Sequence, residues 1–287
     1  MPPNNSSTPS IKGTIRKFWL NNSNVRIPFG LGCAWLGQGY PDRTEVKKRL
    51  HTFETCYGLG FRYYDTARSY GSSEWVVGEF VATVPRESIF LATKFNLPKV
   101  DSPHTAASEA RECLQESLFR LKTDYLDLYQ VHDSTNLEVL FAEDGVLDFL
   151  LEAKHSGQIR HIGMAVRDQP ILERALQHPD FETILTWGDF SPFNQSAASL
   201  IDHAALRQAG VINGSPLYDA RRHKLDLKDP RVLAAVLQFP MNNPSIDITL
   251  TGPANILEIE STVRALLETV DLGLWEEWKR LKPLPLY

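Results

Sequence analysis

Short apolar runs alternate with longer amphipathic stretches along this chain, and the alternation repeats eight times. The short runs are "RIPFGLGCA", "FRYYDTA", "IFLATKF", "YLDLYQVHD", "HIGMAV", "TILTWGD", "GVINGSP" and "DITLTG". They are nearly continuously apolar, as strands are when both faces are covered. The stretches between them carry a 3.6-residue period. In "ASEARECLQESLFRL", Ala110, Leu114, Leu118 and Leu121 recur at helical spacing with charges between them. Similar patterns run through "EVKKRLHTFETCYGLG", "SEWVVGEFVATV", "GVLDFLLEAKHSG", "PILERALQH", "AASLIDHAALRQAG", "PRVLAAVLQF" and "ILEIESTVRALLETV". Several end at a glycine before the next apolar run, at Gly58 and Gly60, Gly157 and Gly210, where a helix C-cap favours φ > 0.

Eight strands alternating with eight helices predict an α/β fold, a (β/α)8 TIM barrel closed by a C-terminal helix. The rival is a doubly wound open sheet. It usually opens with a glycine-rich phosphate loop, and "GLGCAWLG" lacks the GxGxxG spacing. Residues 1–24 are rich in Asn, Ser and Pro. They read as a loose tail or a short hairpin near "IKGTIRKFWL", with residues 25–287 as a single barrel domain.

Composition narrows the partners. At 287 residues the chain has the usual length of one such barrel. Its net charge of −5 gives no basic face for nucleic acid or an anionic membrane. Three cysteines, Cys33, Cys56 and Cys113, form no CxxC pair, which fits a reducing compartment and excludes a cysteine-built zinc site. The opening "MPPNNSSTPS" has no apolar core of a signal peptide, and no run nears the roughly 18 apolar residues of a membrane span. The expectation is a soluble cytoplasmic protein with no metal site.

Catalytic side chains in a barrel come from the C-terminal ends of its strands. The second run ends at Asp65, the third at Lys94 and the fourth at His132. Tyr70 follows Asp65 on the loop at the same rim. Each alone has an ordinary reading, as a turn acid, a solvated lysine or a core histidine. Together, at the ends of consecutive strands, they suggest a proton-transfer set. A phenol with pKa near 10 is a poor acid at neutral pH, and an adjacent ammonium favours its phenolate. Asp65 would hold the lysine charged, and His132 would hydrogen-bond a substrate carbonyl oxygen. None of these groups supplies a hydride, so carbonyl reduction would require a nicotinamide.

These segments resemble the aldo-keto reductases. "GFRYYDTARSYGSSEWVVGEFV" is similar to the family's first signature, "IFLATKF" to its lysine strand, and "SLFRLKTDYLDLYQVHD" to its second signature. The Val-His-Asp ending and "VDLGLWEEWKRL" look most like the branch containing L-galactose dehydrogenase and D-threo-aldose 1-dehydrogenase. The resemblance implies hydride transfer between a nicotinamide and an aldehyde, ketone or aldose C1. It assigns Tyr70 as general acid/base, Lys94 as its pKa modulator, Asp65 as the lysine's partner and His132 as the carbonyl orienter. The family's cofactor lies across the barrel mouth. Matching positions are Gly32 and Cys33, Asp65, Ser215 and Leu217, and Thr251 and Gly252.

The chain departs from the family pattern in three places. Where many members carry Ser-Asn after the fifth strand, Ala165 and Val166 offer no side-chain donor. The usual glutamine of the sixth strand is replaced by Thr186 or Trp187. Glu258 stands where NADP-users place an arginine, which favours NAD over NADP. Trp35, Tyr70, His132 and Asp133 are the expected substrate contacts, with Trp187 and Tyr218 further along the rim. The expected partner is a small carbonyl compound or sugar, and the expected assembly a monomer or homodimer. Two other functions remain open at this point: a redox-neutral isomerase or dehydratase reusing the same residues, and a nicotinamide-binding regulatory protein.

Overall fold

A computed structural model of the chain describes residues 10–22, 25–37, 43–97, 99–133 and 137–281. Eight parallel strands close into a barrel: Phe29–Gly32, Tyr63–Asp65, Phe90–Asn96, Leu126–His132, Ile159–Ala165, Thr183–Trp187, Gly210–Gly214 and Ile248–Thr251. Six lie within the apolar runs, the third strand runs one residue past its run to Asn96 and the fifth begins two residues earlier at Ile159. The eighth pairs with the first. We refer to them as the first to eighth strands. Helices cover the outside, the longest being Pro103–Leu121. The helical stretches are found as expected, with short additional turns at Leu137–Phe141 and Tyr218–Arg222 and a final helix at Leu272–Trp278. No helix among the described residues is long and apolar enough to cross a membrane.

Alternation within the strands sorts side chains inward and outward. On the third strand Phe90 and Ala92 point into the barrel, while Leu91 and Phe95 pack against the helices. The interior is filled by Tyr63, Phe90, Leu128, Leu185, Ile212, Ile248 and Leu250. Tyr63 and Phe90 stack at 4.6 Å. The lower barrel is thus a packed core, and the upper rim is left for chemistry.

The segment expected to form a hairpin, "IKGTIRK", is instead a helix, Ile11–Lys17. The hairpin follows it, as Leu20–Asn22 paired with Val25–Ile27. The helix forms because tertiary packing outweighs its poor propensity (Gly13 and β-branched residues). Ser10 caps it by accepting from Gly13 N. Ile11 and Ile15, one turn apart, are buried against the barrel floor. Gly210 makes room for them: a Cβ there would stand 3.2 Å from Ile15 Cδ1. Lys12 and Arg16 reach the buried carboxylate of Asp247 at 3.3 and 3.7 Å, and Trp19 Nε1 donates to its carbonyl oxygen at 2.7 Å. The helix therefore seals the end of the barrel opposite the rim. Residues 1–9 of the expected tail lie outside the described residues.

Candidate active site

The inward-facing set on the third strand continues from Phe90 and Ala92 to Lys94, and on the fourth from Leu128 through Gln130 to His132. Period-two alternation therefore lifts Lys94 and His132 to the rim directly above the packed core. Asp65 closes the second strand beside them. Lys94 Nζ forms a buried ion pair with Asp65 Oδ1 and donates to the Thr66 carbonyl oxygen at 2.8 Å. Gln130 Nε2 donates to the other Asp65 oxygen at 3.1 Å. Tyr70 reaches over from the loop after the second strand. Its ring centroid lies 5.0 Å from Lys94 Nζ and 5.8 Å from the His132 ring, nearly perpendicular to it. Ser69 Oγ sits 3.4 Å from His132 Nδ1. Asp65, Tyr70, Lys94 and His132 thus converge on one cavity.

Burial dominates the electrostatics of this cluster. It works against the Lys94 charge, but Asp65 and Tyr70 together outweigh it and hold the ammonium above its ordinary pKa. Burial also raises the Asp65 carboxyl, with Lys94 and Gln130 pulling the other way. The Tyr70 phenol is raised by burial, against the opposing pull of Lys94. The sequence suggested that Lys94 would bring that pKa down. In the folded protein the lysine only moderates a rise, because desolvating a phenolate costs more than one ammonium returns. Tyr70 therefore stands as a protonated phenol, ready to donate. Burial, then Lys94 and Arg167, lower His132 to about 3, so its imidazole is neutral. Its Nε2 lies 3.7 Å from Asp133 Oδ2, and the tautomer in which Nδ1 accepts from the Ser69 hydroxyl carries the ring proton on Nε2.

The cavity measures about 640 Å³, within the range of small-molecule sites. Gly32, Trp35, Asp133, Trp187, Ser215, Leu217, Tyr218, Thr251 and Gly252 all line it, as do Ala165 and Val166. A second cavity of about 630 Å³ adjoins it and shares Leu217, Arg221, Thr251 and Gly252. The two form one groove across the mouth of the barrel. Three glycines floor it. A Cβ on Gly32 would meet Thr251 O at 3.2 Å, one on Gly214 would meet Thr186 O at 3.0 Å, and one on Gly252 would meet Trp35 Cδ1 at 2.9 Å. At the ends of the first, seventh and eighth strands these glycines let the neighbouring elements pack closely along the cavity they line. Ser215 adds a left-handed backbone, φ 55°, at the turn out of the seventh. An extended dinucleotide with a pyrophosphate fits such a cradle of glycines and backbone amides.

One of the expected cofactor contacts is placed differently. Cys33 does not reach the cavity. It is fully buried in the core behind the first strand, its N–H donates to Asp65 O at 2.8 Å, and its carbonyl accepts from Ser73 Oγ. Alternation explains this, since Gly32 faces in and the next residue faces out. Glu258 lines the second cavity, away from the catalytic cluster. Its carboxylate accepts from Ala254 N and Asn255 Nδ2, at 2.9 and 3.1 Å, while Asn255 Oδ1 accepts from Glu258 N. It is half of a capping box on the helix Ile256–Leu267. Thr186 is buried and donates to Asn213, so of these two residues Trp187 faces the site.

Four residues with a charged or amide side chain at the site escaped the sequence reading: Gln130, Arg167, Arg221 and Arg222. Gln130 carried a signal, since it lies two positions before His132 and so shares its face. Arg167 sits on the loop after the fifth strand and Arg221 and Arg222 on the short helix Tyr218–Arg222, where no periodicity marks them.

A family model described as the aldo/keto reductase family matches residues 28–235. L-Galactose dehydrogenase of Arabidopsis thaliana is 24% identical over 291 residues, covering 90% of each chain. D-threo-aldose 1-dehydrogenase of a Pseudomonas species is 23% identical over 316 residues, covering 89% of this chain and 96% of the relative. The chain matches 65%, 47% and 54% of the length of three other curated relatives. Among solved structures, an aldo-keto reductase from Klebsiella pneumoniae in complex with NADPH superposes with a TM-score of 0.74 at 18% identity, covering 94% of this chain and 96% of that one. With the family model matching most of its length, the chain belongs to the aldo/keto reductase family.

Proposed function

We propose that Tyr70 is the proton donor and acceptor of a reaction at an aldehyde, ketone or aldose C1. One observation carries this. The Tyr70 phenol is held between a buried ammonium, Lys94, and a neutral imidazole, His132, at the floor of a single cavity. A nicotinamide dinucleotide, when bound, supplies or takes the hydride. Gly32, Ser215, Leu217, Thr251 and Gly252 would hold it along the groove, with Trp187 beside the reacting end. His132, neutral and protonated on Nε2, donates to the substrate oxygen. Tyr70 gives its proton to that oxygen as charge develops there, and Lys94 steadies the phenolate left behind. In the reverse direction the phenolate takes the proton of a C1 hydroxyl.

The names of the two sugar-dehydrogenase relatives support an aldose among the substrates. Glu258 supports NAD over NADP: its carboxylate is fixed at the outer cavity by the capping box, where it repels a 2′-phosphate. Glu258→Gln preserves the capping geometry and removes the charge. NADPH should then bind several-fold tighter relative to NADH, read by fluorescence titration, and an unchanged ratio refutes the assignment. The main test follows reduced-nicotinamide absorbance with aldehyde and aldose panels, for wild type and Tyr70→Phe. Loss of at least a hundredfold in kcat with intact nucleotide binding is expected. Equal rates in the two proteins would sink the role of Tyr70.

A further inference from the structure

Three guanidinium groups line the inner cavity: Arg167, Arg221 and Arg222. Their charges are not equally committed. Arg222 lies 3.7 Å from Asp219 and 5.3 Å over the Tyr218 ring. Arg221 borders both cavities, at the junction that an extended dinucleotide would cross. Arg167, on the loop after the fifth strand, borders the inner cavity alone. No carboxylate among the described residues forms an ion pair with it. The other acid of this rim, Asp133, stands 3.7 Å from His132 Nε2.

Arg167 is nonetheless fixed in place. Its guanidinium lies 3.8 Å from the centre of a Trp187 ring, and Trp187 is braced in turn against Tyr218 at 4.6 Å. Stacking uses the flat face of the guanidinium and leaves its in-plane N–H groups free at the edge. The cavity thus holds a pre-oriented fork of donors with a full positive charge. It lies close enough to His132 for that charge to be felt there. A planar fork matches the two oxygens of a carboxylate.

Building on the carbonyl-reductase reading, we propose that the substrate is an oxo acid, sugar acids included, whose carboxylate is gripped by Arg167 while its carbonyl meets Tyr70 and His132. The carboxylate takes no part in the bond changes. The carbonyl carbon gains a hydride, the two-electron equivalent lost by the reduced nicotinamide, and the oxygen gains the Tyr70 proton, which solvent restores. Asp133, half-exposed on the same rim, is placed to accept from a hydroxyl of such a substrate.

The test compares kcat/KM for 4-carboxybenzaldehyde with that for its methyl ester, and for glucuronate with that for glucose, in wild type, Arg167→Gln and Arg167→Lys. Wild type should favour the acids by at least tenfold. The preference should collapse toward one in Arg167→Gln and stay intermediate in Arg167→Lys, which keeps the charge and loses the stacked fork. Terephthalate binding, measured by calorimetry, should weaken at least tenfold in Arg167→Gln. A preference that survives Arg167→Gln, or is absent from wild type, overturns the proposal. So does a change confined to dinucleotide affinity, which would make Arg167 a cofactor contact. A stronger preference for glyceraldehyde 3-phosphate over glyceraldehyde overturns the carboxylate assignment. If no carbonyl compound turns over but terephthalate still binds through Arg167, the carboxylate site stands and the redox reading falls.

Discussion

Replacing Lys94 by methionine should separate what the buried pair does for the fold from what it does for the proton. The ammonium lies 5.0 Å from the centre of the Tyr70 ring. At an effective dielectric of about 20, one unit charge at that distance favours the phenolate by about 3 kcal/mol. That is about a hundredfold in acid strength. The substitution also strands Asp65, only 3% exposed, without its counter-charge. Breaking one side of a buried pair typically costs about 3–5 kcal/mol. Lys94→Met should therefore lose roughly two orders of magnitude in kcat and several kcal/mol of stability. Adding Asp65→Asn removes the stranded charge, so the double variant should regain much of the stability and none of the rate. Urea melts give the first quantity and initial rates at saturating nucleotide the second. Recovery of rate together with stability in the double variant would show that the pair is scaffolding only, and full kcat in Lys94→Met would refute the acid-tuning argument outright.

Three further outcomes follow from the structure. His132 stays neutral down to about 3 when folded, against an ordinary 6.5, so between those values the unfolded chain binds the extra proton. Stability should be full above about pH 6.5 and fall toward pH 3 by up to about 1.4 kcal/mol per unit. His132→Gln should flatten that slope in urea melts run at several pH values, and an unchanged slope would clear His132. Ile15→Ala empties a fully buried position at the barrel floor and should cost about 2–4 kcal/mol by denaturant titration, with catalytic constants at the far rim little altered. Gly32→Ala presses a methyl to 3.2 Å from Thr251 O, in the proposed dinucleotide groove. Nucleotide affinity should drop at least several-fold by fluorescence titration, and wild-type affinity would remove Gly32 from the groove.

The barrel and its catalytic cluster were legible because two simple rules act together. Strands covered on both faces read as apolar runs, and the ends of those runs carried Asp65, Lys94 and His132. What failed was local. "IKGTIRK" has a glycine and β-branched residues, and only the barrel floor, formed by residues far along the chain, makes it a helix. Cys33 was misplaced by one step of strand alternation. The rise of the Tyr70 pKa depends on how deeply the loop buries the phenol, which no spacing encodes. Arg167 gains meaning only from Trp187, on a different strand. Glu258 was read for its charge alone, although "NILE" also spells a capping box.

The helix that seals the barrel floor has a kinetic consequence. Its anchor is the residue just before the last strand: Lys12 and Arg16 reach the Asp247 carboxylate, and Trp19, just past the helix, donates to the Asp247 carbonyl oxygen, 228 residues further along. A local helix with such a distant partner cannot nucleate folding, because closing that loop is rewarded only once the eight-strand circle is complete. Ile11–Lys17 should therefore dock late, contributing little to the transition state and much to the barrier against opening. The segment works as a latch. Weakening it should leave the folding rate nearly unchanged and speed unfolding, and native-state hydrogen exchange should find the helix and the eighth strand opening together.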